Sequence, residues 1–283
     1  KLKKAMNEQI GIPSHSILPP VVKHLLIING IFFLATYLMG PAVMGRVNLY
    51  DIFGLHYFES QNFHFWQIIT YMFMHGNFGH LFFNMFSLWM FGSMIENIWG
   101  SKRFLQYYLI TGIGAAAIHY LIIFLQINPE ISLINQFLEN PSLGTYQYLV
   151  DNCHQQNLKE VFQNYLRVLQ ANPSALNELT AATTSIKESF VGSYNIVGAS
   201  GSVFGLLLAF GMLFPNSYIY IWFLLPLKAK YFVIIYGALE LFFGIAGTAD
   251  GIAHFAHLGG MVFGIFMILY WRKKDRANNW YNY

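Results

Sequence analysis

Two short glycine-flanked motifs carry the residues of this chain best suited to chemistry: Gly198-Ala199-Ser200-Gly201 and Ala256-His257-Leu258-Gly259-Gly260. A serine hydroxyl is a weak nucleophile until an adjacent base takes its proton, and a neutral imidazole does that work near pH 7. Each motif opens an apolar stretch of helical length. A helix start offers free backbone N–H groups and a positive dipole end, both favourable to an oxyanion formed on attack. Small residues follow at four-residue spacing, Gly201, Gly205 and Ala209 in one stretch and Gly260 and Gly264 in the other. Such stripes let transmembrane backbones approach closely. Packing stripe on stripe is expected to bring Ser200 and His257 together, with Gly198, Gly201, Gly205, Gly260 and Gly264 as the packing glycines.

A third element, His80-x-x-x-Asn84, places two hydrogen-bond donors on one helix face, where they are candidates to hold the oxyanion. No carboxylate shares the helical face of His257, so the spacing predicts a dyad. Asp250, seven residues earlier, reads as a loop residue with only a minor chance to orient the imidazole. His75, His80, His254 and His257 could be assembled into a zinc site on paper. The HExxH arrangement is absent and no carboxylate is placed to complete a shell, so neither metal nor cofactor is expected. Glu96 reads as a structural anchor bonded across to another helix, His254 as an interfacial residue, and Glu240 has no evident role. Ser200 in isolation would read as a helix cap, and His257 as an interhelical hydrogen-bonder. Their occurrence together, with aligned small residues and the His80/Asn84 pair, favours catalysis over capping, because polar groups in hydrocarbon are expensive.

The elements that must position these residues are membrane helices. The 283 residues are 55% hydrophobic and 10% charged, against roughly 25% charged in soluble domains. Six spans follow from the apolar runs: 21–39, 81–98, 104–125, 197–214, 231–245 and 255–271. The reading is an all-α polytopic bundle in five parts. A segment 1–20 precedes spans one to three (21–125, with an interfacial loop 40–71), a soluble helical insertion occupies 126–192, spans four to six lie in 193–271, and a tail covers 272–283. Placing the N-terminus inside puts 12 Lys and Arg residues on the inner side and 4 on the outer, which sets both termini in the cytoplasm, by the positive-inside rule. The net charge of +3 is then a topology signal and argues against a nucleic-acid partner. Cys153 is the only cysteine, so no internal disulfide forms. A bacterial inner membrane is the expected location.

The ordered motifs resemble the rhomboid family of intramembrane serine proteases. They are His75-Gly-Asn-Phe-Gly-His80-Leu-Phe-Phe-Asn84, Glu96-Asn-Ile-Trp-Gly100-Ser, Gly198-Ala-Ser200-Gly201 and Ala256-His257-Leu-Gly-Gly260-x-x-x-Gly264. The resemblance implies Ser200 as nucleophile, His257 as its base, and His80 and Asn84 at the oxyanion. It further implies cleavage of helical transmembrane segments of other membrane proteins without ATP or metal, with the lipid bilayer as the medium. The fifth span and the loop after the first would govern lateral access, and Phe204 would pack on the histidine. Two features depart from the pattern. Trp66-Gln67 stands where members commonly carry Trp-Arg, which would loosen the loop, and the insertion 126–192 could select substrates or bind a partner. Rival readings are a catalytically silent rhomboid-like protein that binds membrane helices for quality control, and a transporter. Silent relatives normally lack the serine or the histidine, and a transporter would carry an internal repeat that is not seen.

Overall fold

The computed structural model describes residues 16–39, 48–221, 224–247 and 253–277; Arg46, Asp250 and the lysines at 1, 3 and 4 lie outside the described residues. In chain order, α1 (Pro20–Leu38), α2 (Leu49–Phe53) and α3 (Gln67–Thr70) lead into α4 (Phe78–Ser87). A π-helical turn, Leu88–Gly92, joins α4 to α5 (Ser93–Trp99). Next come α6 (Ser101–Glu139), α7 (Leu143–Asn152), α8 (Gln156–Ala171) and α9 (Leu176–Gly192). Helices α10 (Ser200–Leu213), α11 (Ala229–Ala246) and α12 (His254–Ala277) complete the order.

Among the described residues, five helical stretches are long and apolar enough to cross a membrane: α1, α4 through α5, α6, α11 and α12. The expected fourth span is present as α10, but it has only 14 residues, or about 21 Å at 1.5 Å per residue. Eleven of its residues, Gly201 through Gly211, are buried without a break. A helix walled in by protein need not match the hydrocarbon thickness, which explains how so short an apolar element sits at the centre. The outer helices show the opposite pattern. Ile31, Phe242, Ile245 and Phe266 are each at least 60% exposed, a coating suited to lipid, where backbone polar groups must be satisfied within the helix.

Local chemistry fixes the helix ends. Pro20 sits at the first position of α1, where its missing N–H costs nothing. The next two donors, Val21 N–H and Val22 N–H, reach the Glu96 carboxylate at 3.0 and 2.9 Å, and Ser101 Oγ–H donates to it at 2.6 Å. Glu96 is 2% exposed, so this buried carboxylate is satisfied by three donors, and it is the cross-helix anchor the sequence suggested. The Asn77 side chain caps α4 by accepting from His80 N–H at 2.8 Å.

The chain divides into two compact units. The first comprises 1–54, 66–119 and 197–283 and holds α10 packed against α12, α11 and α4. Its loop before α4 is well tied. Gln67 Nε2 donates to the Asp51 carbonyl at 2.9 Å, Trp66 Nε1 to the Ile52 carbonyl at 3.0 Å and Thr70 Oγ1 to the Phe53 carbonyl at 2.9 Å. The neutral amide of Gln67 is thus tied to the run of carbonyls 51–53 that also accepts from Trp66 and Thr70.

The second unit comprises 55–65 and 120–196. Leu55 and His56 pair antiparallel with Ile196 and Asn195. Helix α6 does not stop at Leu125 but runs on past Pro129 to Glu139, because Ile127, Ile131, Ile134 and Phe137 keep an apolar stripe at helical spacing. Glu130 on that stretch is buried and accepts from His154 N–H at 3.0 Å. Phe137, Tyr146, Leu149, Phe162 and Leu166 form the core that α7 and α8 close, with Ser142 and Thr145 making a reciprocal capping box on α7. Cys153 is buried in that core, and desolvation, reinforced by the nearby Glu130 carboxylate, pushes its thiol up to about 12. Since the thiolate is the reactive form, the folded protein at pH 8 is expected to resist maleimide and to label stoichiometrically once denatured. Rapid labelling of native protein would show that this core is open.

Candidate functional site

The site is built where α10 begins. Ala199 is the N-cap of α10 and Ser200 its first residue, so the early backbone N–H groups lack intrahelical acceptors. Helix α10 is locked in rotation by α6: Tyr107 Oη–H donates to the Gly205 carbonyl at 2.8 Å and Ser202 Oγ–H to the Tyr108 carbonyl at 2.6 Å. Against it lies α12. A Cβ placed on Gly260 would stand 1.9 Å from the Gly201 carbonyl oxygen, so these two backbones touch.

That contact is the expected one, but the rest of the stripe arrangement differs. A Cβ on Gly201 would meet Ala115 at 2.3 Å, one on Gly205 would meet Thr111 at 2.8 Å, and one on Gly264 would meet the Tyr107 hydroxyl at 2.3 Å. The small residues thus make room for α6 as well as for each other, and α6 is the helix that the two-stripe reading leaves out. Gly198 is not a packing glycine of a helix face at all. It precedes α10 with φ +124°, its N–H donates to the Tyr71 carbonyl at 2.9 Å, and a Cβ there would sit 2.7 Å from the His80 ring.

The close helix pair brings the two principal residues into register. His257 Nε2 lies 2.9 Å from Ser200 Oγ. Phe204, one turn after Ser200, stacks on the imidazole at 4.1 Å between centroids and 6° between planes. The other ring nitrogen, His257 Nδ1, lies 2.9 Å from Glu240 Oε2 on α11. The same carboxylate oxygen lies 2.7 Å from His254 Nδ1. One expectation is corrected here. A carboxylate does support His257, arriving from a different helix and not from the face of α12 that the spacing argument searched. His254 is buried beside it.

His80 and Asn84 stand on α4, which packs against α10. The His80 ring faces Gly198 and meets His75 edge to face at 5.0 Å. Asn84 is 5% exposed, and its Nδ2 has no hydrogen-bond partner among the described residues. A buried donor left unpaired costs about 1–3 kcal/mol, and this amide is one of several such buried groups among the described residues. Among the described residues, Glu240, His254 and His257 form a group that could hold a metal, their ligand atoms lying within 4.8 Å of one another. The donor set suits zinc, and it contains the carboxylate that the sequence reading found missing, although all three groups are engaged in the hydrogen bonds just described.

A family model, the Rhomboid domain, matches residues 62–132 and 174–274. The chain belongs to the rhomboid family. This rhomboid is an integral membrane protein, in keeping with its long apolar helices. It is also similar to Rhomboid-like protein 11, chloroplastic, of Arabidopsis thaliana, at 31% identity over 97 residues. That match spans 34% of this chain and 34% of the relative, about a third of each. The two family blocks include His80, Asn84, Ser200, Glu240 and His257 and pass over 133–173 in the second compact unit. Glu240 is the residue that sequence reasoning missed. Its signal was a lone carboxylate in an otherwise apolar span, which by default marks an interior or functional position.

Proposed function

We propose that this rhomboid is an intramembrane serine endopeptidase that cleaves transmembrane segments of other membrane proteins. The observation that carries the reading is the 2.9 Å approach of His257 Nε2 to Ser200 Oγ at the start of a buried helix. In the proposed reaction the Ser200 hydroxyl proton passes to His257 Nε2 as Oγ bonds to the scissile carbonyl carbon. The resulting oxyanion is held by the first backbone N–H groups of α10, by Asn84 Nδ2 and by the His80 ring. Collapse expels the amine, which takes the proton from His257, and water admitted to the site then repeats the sequence to release the acyl group. We further propose that both termini face the cytoplasm of a bacterial cell, from the excess of Lys and Arg on that side, and that residues 126–192 contribute to partner or substrate choice.

The decisive experiment is labelling of the purified full chain with a fluorophosphonate, alongside cleavage of a fluorescent single-span substrate in detergent. Labelling at Ser200 together with cleavage supports the proposal. A wild-type chain that neither labels nor cleaves across varied substrates would instead favour a silent helix-binding rhomboid. Within the same assay, Asn84→Ala is expected to lower kcat by about 10²–10³-fold with little change in Tm, because Asn84 Nδ2 has no partner to lose among the described residues. Unchanged turnover in that variant would remove Asn84 from the oxyanion site.

A further inference from the structure

Resting on the protease reading, we infer that Glu240 is a positioning residue that converts the serine–histidine pair into a three-membered relay, with His254 holding the carboxylate in place. An ionised carboxylate has lone pairs and no proton to give. With Glu240 Oε2 at 2.9 Å, His257 Nδ1 must therefore be the protonated nitrogen, which leaves Nε2 with its lone pair directed at Ser200 Oγ. That is the tautomer general-base catalysis needs, and the carboxylate selects it. Phe204 stacks on the face of the imidazole and fixes its plane, but stacking does not choose between the two nitrogens.

The same contact acts a second time during the reaction. When Nε2 takes the serine proton the ring becomes an imidazolium, in a site where Glu240 is 8% and His257 8% exposed. A positive charge arising in low dielectric is costly unless an opposite charge already faces it. Glu240 supplies that charge at a fixed distance, and it keeps its own ionised state throughout, as no proton moves along the Nδ1 bond. His254 is the second donor to the shared oxygen, at 2.7 Å. It prevents the carboxylate from swinging away and offsets part of its desolvation before the imidazolium forms.

The placement adds a physical consequence. Ser200 and His257 are held by the tight α10–α12 contact, whereas Glu240 arrives on α11, the least buried of the long apolar helices. The carboxylate is thus the one part of the arrangement that can be withdrawn without separating nucleophile from base.

The test compares wild type, Glu240→Gln, Glu240→Asp, His254→Ala and Ser200→Ala as full chains in detergent and in liposomes, with and without EDTA. Glu240→Gln keeps the shape and loses the charge. It is expected to reduce kcat on the order of 10²–10⁴-fold, with KM and Tm near wild type and slower fluorophosphonate labelling of Ser200. Glu240→Asp, which restores the charge at a longer reach, is expected to recover part of that loss. His254→Ala is expected to lose less than Glu240→Gln. Wild-type kcat in Glu240→Gln would overturn the inference while the protease reading stands, provided Ser200→Ala is inactive. If Glu240→Gln does not fold, full kcat in both Glu240→Asp and His254→Ala would overturn it equally. Turnover abolished by EDTA and restored by zinc would also overturn it, since the three groups would then be metal ligands. A wild-type chain that neither cleaves nor labels would take both readings down together.

Discussion

Ser200→Ala is expected to lower kcat on the order of 10⁶-fold, to the level of background hydrolysis, and His257→Ala to do the same. The two losses should not add. In the proposed reaction Ser200 and His257, 2.9 Å apart, act as one unit, so removing either leaves nothing for the other to do, and the double variant should cleave no more slowly than the singles. The folded state should barely register the serine change. One polar contact is lost at a half-buried position, which amounts to about 1 kcal/mol, so Tm by thermal unfolding in detergent stays close to wild type. Turnover that survives in either single variant, measured against a preparation free of host proteases, would reject the assignment of that residue.

Gly260→Ala is the second large effect, and it operates through distance. The new methyl would stand 1.9 Å from the Gly201 carbonyl oxygen and 2.7 Å from its carbonyl carbon. Both obstacles are backbone, so no side chain can turn aside, and α10 and α12 must part by more than about 1 Å, to roughly ordinary van der Waals contact near 3.5 Å. Overpacking of this kind typically costs about 1–3 kcal/mol, which should appear as a Tm lower by several degrees. The functional loss should be larger than the stability loss suggests. Ser200 sits one residue before Gly201 and His257 three before Gly260, so the gap opens between nucleophile and base, and a misplacement of about 1 Å can cost 10²-fold in rate. Gly30→Ala is the matched control, because a Cβ there meets nothing within 4 Å. It is expected to leave kcat unchanged. Equal activity in the Gly260→Ala protein would mean that the backbone contact is not what sets the site.

Apolar length and small-residue spacing are local properties of the chain. They are enough to place most helices within a few residues and to single out Ser200, His257, His80 and Asn84. The anchoring of α1 by Glu96 is legible for the same reason: a carboxylate near the end of an apolar span must find donors, and the ends of neighbouring helices supply them. Where an element leaves its ordinary pattern, the sequence misleads. The length of α6 is underestimated because the polar residues from Gln126 onward read as the start of the insertion, whereas the helix runs on to Glu139 and buries Glu130, one of whose carboxylate oxygens accepts from His154 N–H.

The sequence alone determined that this chain is a helical membrane protein with a serine and an imidazole at the heads of two small-residue helices. Only the tertiary structure decided which third group faces that imidazole, which helix the other glycines accommodate and how short the central helix could be. The physical reason is that periodicity reports which residues share a face of one helix, but carries no information on which face of another helix lies opposite. Glu240 and His257 are 17 residues apart on separate helices, and no pattern within either could have paired them.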